Sequence, residues 1–391
     1  MHVIFDLTAL ATPIRDRGIG RYLMETALAL ERAASSRRSL KVGFLERSDW
    51  MGPGVVRPSA EQVITSLLAS KPRAERTEWA YRNRVGMWRA LRHAGGELLH
   101  LGFANVTPWG LADRIVTCHD LIPLQYPAQY LGWRQGFAAG RRLADLRRYA
   151  GARHIIAISA ATADALTHLL RIPSSHISVV HNGVSLERWS EAAHASDADV
   201  RGRYDLGERA LLVYAGDADF RKNAEGMLAA LKVLKARQPE RGFLLAWAGR
   251  LGLRQQQRIT ALAEVLGVQN DVKLLGYIPD ADLAALYRQA FATLFVSRAE
   301  GFGYPVIEAL ACGSPVVTSN RSSLVELAGD VAACVDPESP DAIAEAVLAS
   351  ENSEQHERRR ARRAWAERFS LERQAGETLD VYERVLRHSS P

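Results

Sequence analysis

Residues 291–319, FATLFVSRAEGFGYPVIEALACGSPVVTS, decide how this chain is read. The apolar run at 291–296 reads as a buried strand bounded by turn residues, YPVIEALA opens a helix, and a Gly-Ser-Pro break leads into a second short strand. A strand that feeds a helix through glycines points backbone N–H groups at an anion. Glu300 and Glu308 stand eight positions apart around a Gly301-Phe302-Gly303 turn. Glycines let a ligand approach the backbone closely, and a carboxylate beside the turn accepts hydrogen bonds from hydroxyls. Phosphate plus hydroxyls describes a nucleotide or a sugar phosphate. The plain alternative is a glycine turn with two solvated glutamates.

The same alternation of short strand and helical pattern runs outward in both directions. Toward the N-terminus HVIFDL (2–7), KVGFLE (41–46), ELLHL (97–101), RIVTCHD (114–120), HIIAIS (154–159) and ISVVHNG (177–183) read as strands. Nearer the quoted stretch, LLVYAGD (211–217), FLLAWAG (243–249) and VKLLGY (272–277) do the same. Strands alternating with helices predict an α/β fold with parallel sheets. The 391 residues suffice for two domains. No clear strand appears around 185–205, which reads as the linker, so the expected domains are 1–190 and 191–369. Two doubly wound sheets of this kind are expected to meet at a cleft, with ligands outside the carboxyl ends of their strands.

Composition is that of a globular enzyme, 47% apolar and 24% charged. No apolar run approaches the ~20 residues needed to span a bilayer. MHVIFDLTAL reads as a first strand and not as a signal peptide. Cys118, Cys312 and Cys334 are odd in number and lack metal-ligand spacing, which points to a reducing cytoplasm. The formal charge is +6, and six of the 50 basic residues are lysine. A basic surface favours phosphorylated substrates or an anionic membrane.

Each chemical motif lies at the carboxyl end of a strand. Arg221 and Lys222 precede a helix whose apolar face includes Met227, Leu228, Leu231 and Leu234. Two cations beside a helix start make a diphosphate site, the arginine forking two oxygens and the lysine acting as a point charge. Asp217 and Asp219 form a D-x-D, read here as turn chemistry rather than a metal site, and no metal or other cofactor is expected. HDLIP at 119–123 puts the His119 imidazole at a strand's mouth, as a hydrogen-bonding or acid–base partner for a sugar or a histidine bonded to local backbone. Gly18 and Gly20 in RGIGR (17–21) lie between the first strand and its helix, where a phosphate could be held. The stretches 71–92 (Trp79, Tyr81, Trp88) and 133–153 (Trp133, Phe137) combine aromatics with arginines. They fit either peripheral contact with an anionic membrane or solvated helix faces. Glu75, Glu78 and Asp145 in the same stretches argue against nucleic acid.

In their order, EGFGYPVIE (300–308), FRKN (220–223), LLGYIPDADLAALY (274–287), VVHNGV (179–184), HDLIP (119–123) and RGIGR (17–21) resemble the retaining GT-B glycosyltransferases of the large family 4 over essentially the whole chain. The resemblance implies two Rossmann-like domains, an N-terminal one for the acceptor and a C-terminal one for a nucleotide-sugar donor. It also implies a last helix at 370–387 crossing back to the first. By the same resemblance Glu300 would bond hydroxyls of the transferred sugar and Glu308 the donor ribose. Arg221, Lys222, the amides of Gly301, Phe302 and Gly303, and the Gly18–Gly20 loop would hold the diphosphate. The backbone at Tyr277 and Ile278 would meet the base, and His119 the donor sugar. Asp217 stands where many members carry an arginine, leaving Arg221, or Arg250 in reserve, to complete the clamp. HDLIP and RKN resemble mannosyltransferase branches, implying mannose from GDP-mannose and a glycan or lipid-linked acceptor in cell-surface polysaccharide synthesis. A sugar-nucleotide epimerase or hydrolase, and a non-catalytic sugar-nucleotide-binding scaffold, are the competing readings.

Overall fold

The structure is a computed structural model that describes residues 1–47, 54–72, 87–103, 113–131, 135–190, 192, 197, 199–350 and 355–387. It divides into two compact units, Met1–Gly183 with Leu371–Pro391, and Val184–Ser370. Both are α/β units with Rossmann-like parallel sheets.

The first unit is built on β1 (His2–Asp6), β2 (Lys41–Arg47), β3 (Val55–Arg57), β4 (Leu98–Leu101), β5 (Arg114–Cys118), β6 (His154–Ala157) and β7 (Ile177–Val179), in the order β3-β2-β1-β4-β5-β6-β7. All neighbours are parallel except β3, which runs antiparallel to β2. β4, β5 and β6 are buried throughout, with Leu, Ile and Val predominating around His100, Arg114, Thr117 and His154, as strands buried on both faces require. The helices Gly18–Ala34 and Leu371–Arg387 share one core with β1, through Leu23, Ala27 and Leu30 on the former and Ala375, Leu379 and Tyr382 on the latter.

The second unit carries β8 (Leu211–Ala215), β9 (Leu244–Ala248), β10 (Val272–Gly276), β11 (Ala292–Phe295), β12 (Val316–Ser319) and β13 (Ala333–Val335), all parallel, in the order β10-β9-β8-β11-β12-β13. In each sheet the strand order reverses beside its first strand, between β1 and β4 and between β8 and β11. In open parallel sheets that switch point is where the loops diverge and a crevice opens at the carboxyl ends.

The division falls at 183/184, not at 190/191. The Val184 amide donates to the Phe369 carbonyl (2.8 Å) and Val184 bridges to Ser370. Trp189 is 1% exposed with its ring 6.0 Å from Tyr287. A tryptophan that large is buried against the second unit, so much of the expected linker belongs to that unit's body. Among the described residues no helix is long and apolar enough to cross a membrane. Of the basic–aromatic stretches, Glu75, Glu78, Trp79, Tyr81, Trp133 and the Phe137 side chain lie outside the described residues. Trp88 is partly exposed, with Arg92 5.3 Å over its ring. On the helix Gln135–Tyr149, the buried Asp145 pairs with Arg141 (2.7 Å) and Arg148 (2.9 Å), which offsets part of that helix's charge.

Candidate active site

β8 leads into Gly216, and a chain of side-chain-to-backbone bonds folds the segment beyond it. Tyr214 Oη donates to the Asp217 carbonyl (2.8 Å), and Trp247 Nε1 to that of Gly216 (3.1 Å). Asp217 accepts the Asp219 amide (3.2 Å) and Asp219 accepts the Arg221 amide (3.1 Å), the turn role expected of both aspartates. One 3-10 turn, Phe220–Lys222, then leads to Asn223 in the left-handed region at φ 58°. Asn223 is fully buried. Its Oδ1 accepts the Gly226 amide (3.2 Å) to cap the helix Ala224–Arg237, and its Nδ2 donates to the carbonyls of Val296 (3.1 Å) and Pro337 (2.7 Å). Arg298 braces the turn from beyond β11: its amide donates to the Arg221 carbonyl (2.7 Å), and its guanidinium donates to that of Phe220 (2.8 Å) and pairs with Glu338.

Across the switch point, the chain after β11 carries Glu300, whose amide donates to Ser322 Oγ (3.0 Å). Ser323 Oγ lies within hydrogen-bonding distance of the Glu300 and Phe302 carbonyls (3.0 and 2.6 Å). Gly303 has φ 124°, and a Cβ there would come within 2.7 Å of Leu324, so this position requires glycine. Phe302 packs edge-on against Tyr304 and Phe369.

These two segments bring Arg221, Lys222 and Glu300 together. Lys222 Nζ donates to Glu300 Oε1 at 2.6 Å, and Arg221 donates to the other carboxylate oxygen. Lys222 also sits 4.8 Å over the Phe295 ring, and Asp219 is 3.8 Å from Arg221. Lys222 and Glu300 are each 8% exposed. Burial alone would raise the Glu300 carboxyl, but the Lys222 and Arg221 cations outweigh it and hold the group below its ordinary value. Glu300 and the cations, separate in the sequence reading, are one ion cluster.

The other donor candidates of the second unit belong to neighbouring elements of the same unit. Gly301 is buried beside Glu300, and Glu308 is 3% exposed on the helix Tyr304–Ala311. Ile278 is buried, whereas Tyr277 is 64% exposed with the Arg250 guanidinium 4.6 Å over its ring. Arg250, the reserve for the phosphate clamp, thus lies beside the Tyr277 ring. The sequence reading passed over Asn223, Arg298, Ser322 and Ser323. Of these only Asn223 carried a signal, as the last letter of FRKN.

In the first unit His119 is partly buried beyond β5. Its Nε2 lies 2.8 Å from the Gly102 carbonyl, which can only accept, so Nε2 carries the proton and Nδ1 is an acceptor. Burial keeps this imidazole neutral by lowering its pKa, against the opposing pull of the Gly102 bond and Asp120. Tyr22 packs edge-on against it, with centroids 4.8 Å apart. Behind it a buried chain runs from Tyr22 Oη to Thr117 Oγ1 (2.9 Å), to His100 Nε2 (2.8 Å), and from His100 Nδ1 to Tyr382. Burial pushes His100 down to about 3, so it too is neutral. Gly18 has open space where a Cβ would stand, whereas a Cβ on Gly20 would meet the Arg15 backbone at 2.4 Å. Gly20 thus has a packing reason of its own and gives no independent support for a phosphate.

Residues 17–188 match the family described as Glycosyltransferase Family 4, and residues 199–367 match Glycosyl transferases group 1. The chain is 28% identical over 391 residues to the O-antigen chain mannosyltransferase B of Escherichia coli, covering 98% of this chain and 99% of that one. Among solved structures it is similar to a sucrose-phosphate synthase from Thermosynechococcus elongatus (TM-score 0.73, 19% identity, 100% of both chains). It is also similar to Anabaena HepE in complex with UDP-glucose (TM-score 0.69, 16% identity, 97% of this chain and 100% of that one). The chain is thus a glycosyltransferase of GT-B fold whose N-terminal half matches the family 4 model and whose C-terminal half matches the group 1 model.

Proposed function

We propose that this glycosyltransferase moves mannose from GDP-mannose, with retention at the anomeric carbon, onto a growing glycan or lipid-linked acceptor. The observation that carries the reading is the Arg221–Lys222–Glu300 cluster, set at the switch point of the second sheet and at the start of the helix Ala224–Arg237. Departure of a nucleoside diphosphate builds negative charge on its terminal phosphate. Pre-set cations and a helix start stabilise that charge where it develops. Arg221 and Lys222 supply both charges without a divalent metal, and Glu300 holds them in place until the donor arrives. With the diphosphate taking over those cations, the Glu300 carboxylate is released to accept hydroxyls of the transferred sugar. Glu308 is assigned to the ribose, and the backbone at Tyr277 and Ile278 to the base. In the first unit, the neutral His119 offers Nδ1 to a sugar hydroxyl.

Retention results if the acceptor hydroxyl attacks on the face the phosphate leaves. The C1–O bond to phosphate breaks as the bond to the acceptor oxygen forms, and the departing phosphate oxygen takes the acceptor's proton. No protein nucleophile is required. The full-length likeness to an O-antigen mannosyltransferase supports mannose and a cell-surface glycan.

The test is incubation with GDP-mannose and methyl α-mannoside in the presence of a chelator, with the product's anomeric configuration read by NMR. An α-linked disaccharide is expected. Donor turnover that is independent of any acceptor, or a β-linked product, contradicts the reading.

A further inference from the structure

One carboxylate in the first unit is not explained by the fold. Asp6 closes β1 at its carboxyl end and is 3% exposed. Its Oδ1 accepts both the Thr8 amide (2.9 Å) and the Thr8 hydroxyl (2.7 Å), so the side chain is fixed. Its Oδ2 has no hydrogen-bond or ionic partner among the described residues. Burial pushes the carboxyl up to about 6, against the two Thr8 bonds that pull it down. The Oδ2 atom is not sealed inside the fold, so a mostly buried carboxylate keeps one open acceptor, and such groups concentrate where a ligand completes them.

Its position points the same way. The first sheet reverses its order between β1 and β4, so Asp6 borders the switch point, as the turn after β8 does in the second unit. The register pairs Phe5 with His100, which places Asp6 level with Leu101, next to the Gly102 whose carbonyl orients His119. Asp6, Gly102 and His119 all lie at the carboxyl edge of neighbouring strands in one sheet.

We propose that Asp6 is an acceptor-binding residue, its unpartnered oxygen receiving a hydroxyl of the sugar to which the transferred residue is added. The inference rests on the glycosyltransferase reading and adds a specific anchor for the acceptor. A carboxylate pinned on one oxygen discriminates by geometry, because only a hydroxyl presented toward Oδ2 completes it.

Saturation-transfer NMR with methyl α-mannoside, on the wild type and on Asp6→Asn, measures acceptor binding without any turnover. The variant is expected to lose about ten- to a hundredfold in affinity for this probe, the worth of a hydrogen bond to a charged group. Its GDP affinity is expected to stay unchanged. Equal mannoside signals from the two proteins overturn the proposal, as does a variant that loses GDP and mannoside alike. Should Asp6→Asn fail to fold, Thr8→Val serves instead: it frees the carboxylate to turn, and weaker mannoside binding with intact GDP binding supports the proposal while unchanged binding overturns it. A wild type that binds neither probe contradicts the functional reading itself, and the inference falls with it.

Discussion

Both oxygens of Glu300 are taken by the two cations that would bind a donor's phosphates, so this carboxylate competes with the ligand for them. Glu300→Gln removes the competing charge while keeping the shape. It is expected to tighten GDP binding severalfold and to depress transfer strongly, measured by calorimetry and by product formation. Equal or weaker GDP binding would mean that the cluster is structural. The same geometry sets a pH dependence. A carboxyl held below its ordinary value contributes stability that is present above the unfolded value, about 4.3, and is lost as pH falls through the folded one. The Tm advantage of the wild type over Glu300→Gln is therefore expected at neutral pH and should shrink progressively below about pH 4. FRKN and the paired glutamates were legible in the sequence as candidate phosphate and hydroxyl binders. Their direct pairing was not, because Arg221 and Glu300 are 79 positions apart and only the strand order makes them neighbours.

Turns and caps show where residue patterns mislead. The glycines of RGIGR read alike in sequence, yet Gly18 faces open space and Gly20 is closed in by the Arg15 backbone. Gly18→Ala is expected to leave Tm nearly unchanged, whereas Gly20→Ala costs on the order of 1–3 kcal/mol through overpacking. Similar melting shifts for the two would refute this account of the loop. Asn223 adds a second case. It combines a left-handed backbone, a helix cap and two bonds to buried carbonyls, and Asn223→Ala loses all the side-chain bonds at once. A loss of roughly 2–4 kcal/mol is expected in denaturant melts, from one cap and two stranded carbonyls. The helix start was visible from the apolar spacing after it, but partners at Val296 and Pro337 belong to distant loops that no local pattern announces.

For the molecule as a whole, apolar runs separated by helical patterns were enough to give two parallel-sheet units. The place where the chain passes from one to the other was not legible, since burial of Trp189 and the pairing of Val184 with Ser370 are tertiary facts. The last helix contributes Ala375, Leu379 and Tyr382 to the core of the first unit, and Tyr382 also closes the hydrogen-bonded chain through His100 and Thr117. A chain ending at Ser370 is expected to lose cooperative folding of the first unit, seen as a missing melting transition; an unchanged melt would show that the helix is dispensable. The most direct test of the donor site is calorimetric titration of GDP, without magnesium, into the wild type and into Lys222→Ala. Binding by the wild type and a loss of about 1.5–3 kcal/mol in the variant are expected, the worth of a charged hydrogen bond. Identical affinities in the two proteins would contradict the assignment of Arg221, Lys222 and Glu300 to the donor's diphosphate.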